Sequence, residues 1–412
     1  MAEVIPFRGI LYNVSKVSME DVTAPPYDVI TPEYREALYM QSPYNIARID
    51  FGKEKPDDKE TENKYTRARA FLDEWIKGGI FIRSENPSFY VYEMAYSMHG
   101  VKKQLLGFLG LVKLEELGKG NVYPHECTYS KPKQDRLNLM KACEANTSPI
   151  FSLYKSSEEG ISKILAKISI TKPYIEVADI AADIHRLWRI DDREDIEMVK
   201  RELQNKDIFI ADGHHRYETA FEYYKEMSVK VTPTNDRPFD HVLMFLANML
   251  DKGLTILPTH RMLKEIPGNM DVVLSEFFEI QSVNDTFDIE NVLSGKKHVF
   301  GFFRRGDGGW HILTYKGGNL SDIRPDLRGI DVIVLHELVL KKILKTTAIG
   351  YEMDIGRALD KVKSGEFSAA IFLNPTRVED VEKAALSSVR MPPKSTYFYP
   401  KLLTGMVINK FS

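Results

Sequence analysis

The sequence predicts a mixed α/β protein, and three observations carry that expectation. Segments of helical and strand periodicity alternate along the whole of the 412 residues. The most apolar run, HVLMFLANML, is too short to span a bilayer and reads as a buried strand. No Pro/Ser-rich linker and no fixed-period repeat interrupts the alternation, so the parts are expected to pack into one body.

In chain order, APPYDVITPEYREALYM joins a Pro-Pro loop to a helix, with Thr31 as N-cap and Pro32 at the first helical position. The next helix carries Tyr65, Ala68, Leu72, Trp75 and Ile76 on one face and stops at Gly78-Gly79. SFYVYEMAYS and QLLGFLGLVKLEEL read as paired strands turning near His99-Gly100. A polar loop, a helix over 134–146 and a short strand from Pro149 follow. Two more strands, a helix around EDIEMVKRELQ and the strand DIFIA lead to a helix with Tyr217, Ala220, Phe221 and Tyr224 on a common face. Beyond Pro233, HVLMFLANML and LTILPTHRML read as buried strands. HVFGFFRRGDGGWHILTYK reads as a hairpin and IDVIVLHELVLKKIL as an amphipathic helix.

Composition narrows the function. A net charge of −3 argues against a generic nucleic-acid coat. Two cysteines, Cys127 and Cys143, make neither a disulfide framework nor a Cys-rich zinc site. MAEVIPFRGILYN lacks the pattern of a signal peptide, so a reduced, soluble, cytoplasmic protein is expected. The Walker A, Rossmann, esterase and zinc-protease signatures are absent from the sequence. Asp50-Phe51-Gly52 matches a kinase tripeptide, but no nucleotide-binding lobe precedes it and no partner motif accompanies it.

The strongest chemical signal is IFIADGHHRYETA, residues 208–220, a buried strand turning into a helix. Helix N-termini leave amides without intrahelical partners, and their dipole favours an anion. Gly213 lets the backbone approach that anion. Arg216 opposes the dipole preference, which suits a fork for phosphate or carboxylate better than helix design. Asp212 can cap the helix or hold magnesium carried in with a nucleotide. His214 and His215 can donate to a phosphoryl oxygen or exchange protons. Zinc is disfavoured, since adjacent histidines diverge and no third ligand stands at a familiar spacing.

A second constellation, PHECTYSKPKQDR (124–136), offers His125, Glu126, Lys131, Lys133, Asp135 and Arg136. Such a run is either a solvated loop or an acid among cations that neutralise phosphate charge. Weaker candidates for a pocket are Tyr27 and Asp28 in PPYDVI, His260 and Arg261 in LPTHR, and Lys394, Ser395, Thr396 and Lys401 in MPPKSTYFYPKLLTG.

IADGHHRYETA, PPYDVI, PHECTYSKPKQDRLNLMKACEANTSPIF and PPKSTYFYPKLLTG together resemble a full-length bacterial and archaeal family of unknown function. Its core resembles the ParB/sulfiredoxin-like superfamily, with Gly213, His214, His215 and Arg216 in the register of the ParB box G-E-R-R. His214 stands where sulfiredoxins carry their nucleophilic cysteine, which removes sulfinic-acid reductase chemistry. The nearest functional resemblance is to archaeal free-serine kinases, with a D-G-H-[HNT]-R-like box and a glutamate in a P-H-E-like stretch. The resemblance implies that Asp212, His214, His215 and Arg216 bind phosphates and metal; Gly213, Lys131, Lys133 and Arg136 are expected, from their own chemistry, to assist in phosphate binding. Glu126 would deprotonate a substrate hydroxyl, and ADP or ATP with Mg2+ would supply the phosphoryl group. The alternative it leaves open is a ParB-like nucleotide switch or DNA-associated module without kinase activity. The domains it implies are an N-terminal α/β region over 1–85, a nucleotide-binding core over 86–230 and a C-terminal α/β region over 231–412 packed on the core.

Overall fold

The computed structural model describes residues 2–411 except 129, 231–236, 284–287, 307–308, 319 and 347, and the side chains of 130 and 131. Helices and several sheets confirm a mixed α/β fold. Two compact units divide the chain. The first comprises residues 1–124, 128–255 and 400–412, and the second 125–127 and 256–399.

A nine-stranded mixed sheet organises the first unit. Its strands are β1 (Val4–Ile5), β2 (Phe89–Met98), β3 (Val101–Lys113), β4 (Val122–Tyr123), β5 (Ile150–Tyr154), β6 (Ile175–Ala178), β7 (Ile184–Ile190), β8 (Ile208–Asp212) and β9 (His241–Asn248). They run in the order β4-β8-β5-β9-β3-β2-β7-β6, with β1 added against β3. β2 and β3 form the expected hairpin. His99 and Gly100 both take positive φ (48° and 76°), the two-residue geometry whose twist matches the flanking strands. β9 lies parallel to β5 and antiparallel to β3 in the middle of this sheet. The first unit therefore runs past residue 230 to Thr255.

The helices of this unit include α1 (Pro32–Gln41), α2 (Lys64–Lys77), α3 (Ser130–Cys143), α4 (Gly160–Ser169), α5 (Arg193–Leu203) and α6 (His214–Lys230). Thr31 caps α1 by accepting from the Tyr34 amide, and α2 buries Ala68, Leu72 and Trp75 before ending at Gly78. α3 starts four residues before the expected position and ends three earlier, where Glu144 adopts a positive φ of 49° and the chain turns into a short strand. Ile161 and Leu165 of α4, Val199 and Leu203 of α5, and Tyr217, Ala220 and Tyr223 of α6 share one apolar core with Phe108, Ile210 and Met244 of the sheet. Burying each of the Ile, Leu, Val, Phe and Met side chains contributes roughly 1.5–3 kcal/mol, which fixes these helices against the sheet.

The second unit holds a six-stranded, fully antiparallel sheet. Its strands are β10 (His260–Leu263), β11 (Phe278–Val283), β12 (Val299–Arg304), β13 (Trp310–Tyr315), β14 (Ile349–Glu352) and β15 (Ala369–Phe372), in the order β11-β13-β12-β15-β10-β14. The β12–β13 hairpin matches the sequence pattern; residues 307 and 308 of its turn lie outside the described residues. The amphipathic stretch from Asp331 departs from expectation. After one α-helical turn it widens into a π-helical segment, Leu335–Ile343, in which the Leu344 amide donates to the Val339 carbonyl five residues back. This spacing keeps Leu335, Leu338, Val339 and Leu340 buried together, which 3.6-residue periodicity did not foresee.

Candidate functional site

The IFIADGHHRYETA segment folds as strand β8, a one-glycine turn and helix α6. β8 is buried through Ala211 and pairs antiparallel with β5, but the register slips between Ile210 and Asp212. A bulge of this kind re-aims a side chain at a strand end, here the Asp212 carboxylate. Gly213 follows at φ 97°, a conformation open to glycine and strained for other residues. Its carbonyl accepts from the Tyr217 amide at 3.1 Å, the first helical bond of α6. The Tyr217 hydroxyl also donates to the Glu115 carbonyl (2.8 Å) and accepts from its amide (3.1 Å), so the first turn of α6 is anchored to the body of the unit.

Arg216 folds back over this turn. A methyl group on Gly213 would lie 2.7 Å from its Nε, so the missing side chain makes room for the guanidinium. Arg216 donates to the Pro149 carbonyl and stands 4.0 Å from Asp212 Oδ2. That same oxygen accepts from Lys401 Nζ at 2.8 Å, a partner 189 residues away in sequence. His214 is buried and His215 half-buried.

α3 brings in the second cation. Arg136, 7 % exposed, donates to Asp135 Oδ2 (2.6 Å) and to the Asp50 carbonyl (2.8 Å), with Asp50 Oδ1 3.4 Å away. Thr147 donates to the same Asp50 oxygen at 2.6 Å. The Arg136 guanidinium lies 4.1 Å from the centre of the Tyr27 ring. Burial alone would raise the Asp135 carboxyl, but Arg136 and Lys64 outweigh it and hold it at about 2. Burial pushes the Tyr27 hydroxyl up to about 12, against the opposing fields of Arg136 and Arg216.

Both arginines line one open pocket of about 360 Å3, mouth included, whose walls also carry Asn146, Thr147, Ser148 and Thr219. Leu139, Met140, Ala145 and Val242 complete the lining, and guanidinium groups with hydroxyl and amide neighbours are the donor types that can hydrogen-bond an oxyanion. Thr147 and Ser148, the two polar residues between the predicted helix and strand, are pocket-lining residues absent from the sequence-predicted site. Asp50, set aside as part of a chance tripeptide, is the buried partner of Arg136 and Thr147.

Other candidates are placed differently. Lys133 pairs with Glu218 Oε2 at 3.0 Å, and Thr128 donates to the same oxygen, so these groups join α3 to α6. Asp28 is exposed on a short 3-10 turn beside Tyr27. The side chain of Lys131 lies outside the described residues.

His125, Glu126, His260, Arg261, Lys394, Ser395 and Thr396 all belong to the second unit. Glu126 Oε1 accepts from the Thr396 amide and hydroxyl, both at 3.0 Å. The fully buried His125 ring lies 2.9 Å from the same hydroxyl through Nε2, and a short bridge joins Glu126 to Met391. Ser395 donates to the Pro392 carbonyl, closing the turn around Lys394. His260 and Arg261 are adjacent on β10, and consecutive strand side chains face opposite ways. His260 packs on Phe372 beside the Met262 core, while Arg261 reaches the Thr259 and Lys394 carbonyls and the Tyr351 ring.

The fold is mixed α/β, and two arginines line one pocket beside its strand–turn–helix junction. Residues 4–333 match the family described as Protein of unknown function (DUF1015), and the chain belongs to it. No curated protein matches the sequence. Among solved structures, the chain is similar to a conserved hypothetical protein from Pyrococcus furiosus (12% identity, TM-score 0.35, covering 68% of this chain and 87% of that one). It is similar to a free serine kinase in complex with AMP (12% identity, TM-score 0.36, 69% and 92%). It is also similar to SbnI with C-terminal truncation from Staphylococcus aureus (11% identity, TM-score 0.38, 72% and 85%). Among the described residues no helix is long and apolar enough to cross a membrane.

Proposed function

We propose that this chain is a nucleotide- and magnesium-dependent phosphotransferase acting on a small hydroxylated metabolite, with free serine as the first candidate. One observation carries the reading. Arg216, folded over Gly213 beside Asp212, lines the same pocket as Arg136. Nucleotide phosphates would take these two forks and the first-turn amides of α6, with His214 and His215 as further donors. The motif resemblance to free-serine kinases and to the ParB/sulfiredoxin-like superfamily supports the same assignment.

Among the described residues no group of three His, Cys, Asp or Glu side chains could hold a metal. Magnesium fits instead as an ion held by one carboxylate, Asp212, together with phosphate oxygens and water. When bound it would neutralise phosphate charge. Lys401, already on Asp212, contributes a second positive charge at that point. In the reaction the substrate hydroxyl oxygen bonds to the terminal phosphorus. The bond from that phosphorus to the bridging oxygen breaks, and the hydroxyl proton passes to Glu126. Thr396 orients Glu126 for this role through two hydrogen bonds to Oε1.

The test incubates the protein with Mg2+, a panel of nucleoside di- and triphosphates and serine, with phosphorus NMR as readout. Phosphoserine should form and should vanish in Asp212→Ala. Glu126→Gln should lower turnover by about 10²–10⁴-fold while nucleotide affinity is retained. Normal turnover in that variant would remove Glu126 from the mechanism. A nucleotide switch or inert binding module would bind the nucleotide and yield no phosphorylated product.

A further inference from the structure

Arg261 is the one large charged side chain among the biggest fully buried groups, at 1 % exposure. Among the described residues no carboxylate comes within ion-pair distance of it. Its guanidinium donates to two backbone carbonyls, those of Thr259 and Lys394, and stacks 5.4 Å from the centre of the Tyr351 ring. A guanidinium has five donors, and carbonyls do not cancel its charge. Burying such a charge costs several kcal/mol unless an anion compensates it. Two residues earlier, the Thr259 hydroxyl is buried and finds no hydrogen-bond partner among the described residues. The Lys394 carbonyl is presented by a residue held at φ 58°, in the left-handed region where side chains other than glycine are strained. The π-helical segment carries His336 within the field of Arg261, and interruptions of this kind recur at functional sites.

We propose that Arg261 and Thr259 form a carboxylate-binding subsite of the second unit, which takes the carboxylate of the phosphoryl acceptor. The inference rests on the phosphotransferase reading and narrows its substrate class to small hydroxy-carboxylates, the hydroxy amino acids included. The carboxylate accepts from the Arg261 fork in place of the Lys394 carbonyl and from the Thr259 hydroxyl. Glu126, the assigned base, belongs to the same unit and contributes to the electrostatic environment of Arg261. The acceptor's two defining groups, carboxylate and hydroxyl, are thereby assigned to residues of one unit.

Calorimetric titration of the full chain with serine, with serinol (a hydroxymethyl group replacing the carboxylate) and with propionate tests this, with ADP titrated separately. Serine should bind about 100-fold tighter than serinol, because a site built for a carboxylate leaves polar groups unpaired without one. Arg261→Lys should cut that ratio about tenfold while ADP affinity stays at the wild-type value. If that variant fails to fold, Thr259→Val provides the second reading, with a loss of discrimination of about 3–10-fold. Equal binding of serine and serinol, or binding of ADP with neither serine nor propionate, overturns the subsite and leaves the kinase reading standing. Carboxylate discrimination that depends on Arg261, without any ADP binding, supports the subsite and removes the kinase. If no probe binds, both fail.

Discussion

Two arginines are buried in this protein under opposite conditions. Arg136, in the first unit, sits between Asp135 and Asp50 and beneath Tyr27. Burial would favour its neutral form, but these acids more than offset it and the guanidinium is held above its ordinary range. Arg261, in the second unit, has two carbonyls and an aromatic ring, and burial lowers it to about 10 against the weaker pull of Tyr351 and Glu126. A cation with its charge already balanced can serve structure and ligand together. One held mainly by dipoles, with no carboxylate among the described residues at ion-pair distance, marks a place where an anion would be welcome.

The largest expected effect breaks the first case. Arg136→Met leaves the buried Asp50 carboxylate without its cation and Asp135 with Lys64 alone, and should cost about 3–5 kcal/mol in denaturant unfolding. Adding Asp50→Asn should recover part of that loss, and strict additivity of the two changes would contradict a shared network.

Next comes acid sensitivity in the second unit. Burial, reinforced by Arg261, lowers His260 from 6.5 to about 4. The unfolded chain therefore takes up a proton below pH 6.5 that the folded chain refuses until about pH 4. Stability should fall across that window by about 3 kcal/mol, and His260→Leu should flatten the slope. An unchanged pH profile in that variant would show that His260 is not the titrating group.

Gly213→Ala should follow, at about 1–3 kcal/mol, since it meets both a positive φ and the Arg216 guanidinium. Its effect on nucleotide affinity should exceed its effect on melting, because Arg216 is the group displaced. The smallest change is expected for Arg261→Met, within about 1 kcal/mol, as removing an unbalanced charge offsets two lost hydrogen bonds. A cost matching that of Arg136→Met would make Arg261 a structural latch.

Local pattern carried much of the fold. The 89–113 hairpin, the helix over 64–77 with its glycine stop and the strand–turn–helix at 208–220 were legible because their signals lie within a few residues. The π-helical spacing of 335–343 was not, since the hydrophobic stripe alone fits either helix. In the site, Asp212, Gly213 and Arg216 could be read directly. Their neighbours could not: Lys401 reaches Asp212 from 189 residues away, and Asp50 reaches Arg136 from 86. The division of His125 and Glu126 from Arg136, only ten residues beyond Glu126, arises from pairing with Met391, which no local pattern announces.

The most direct test of the central claim is equilibrium titration of Mg2+–ADP and Mg2+–ATP onto the wild-type chain and Arg216→Met. The oxyanion pocket predicts saturable binding that weakens about 100-fold in the variant, with its melting temperature close to wild type. Absence of nucleotide binding, or affinity indifferent to Arg216, would contradict it.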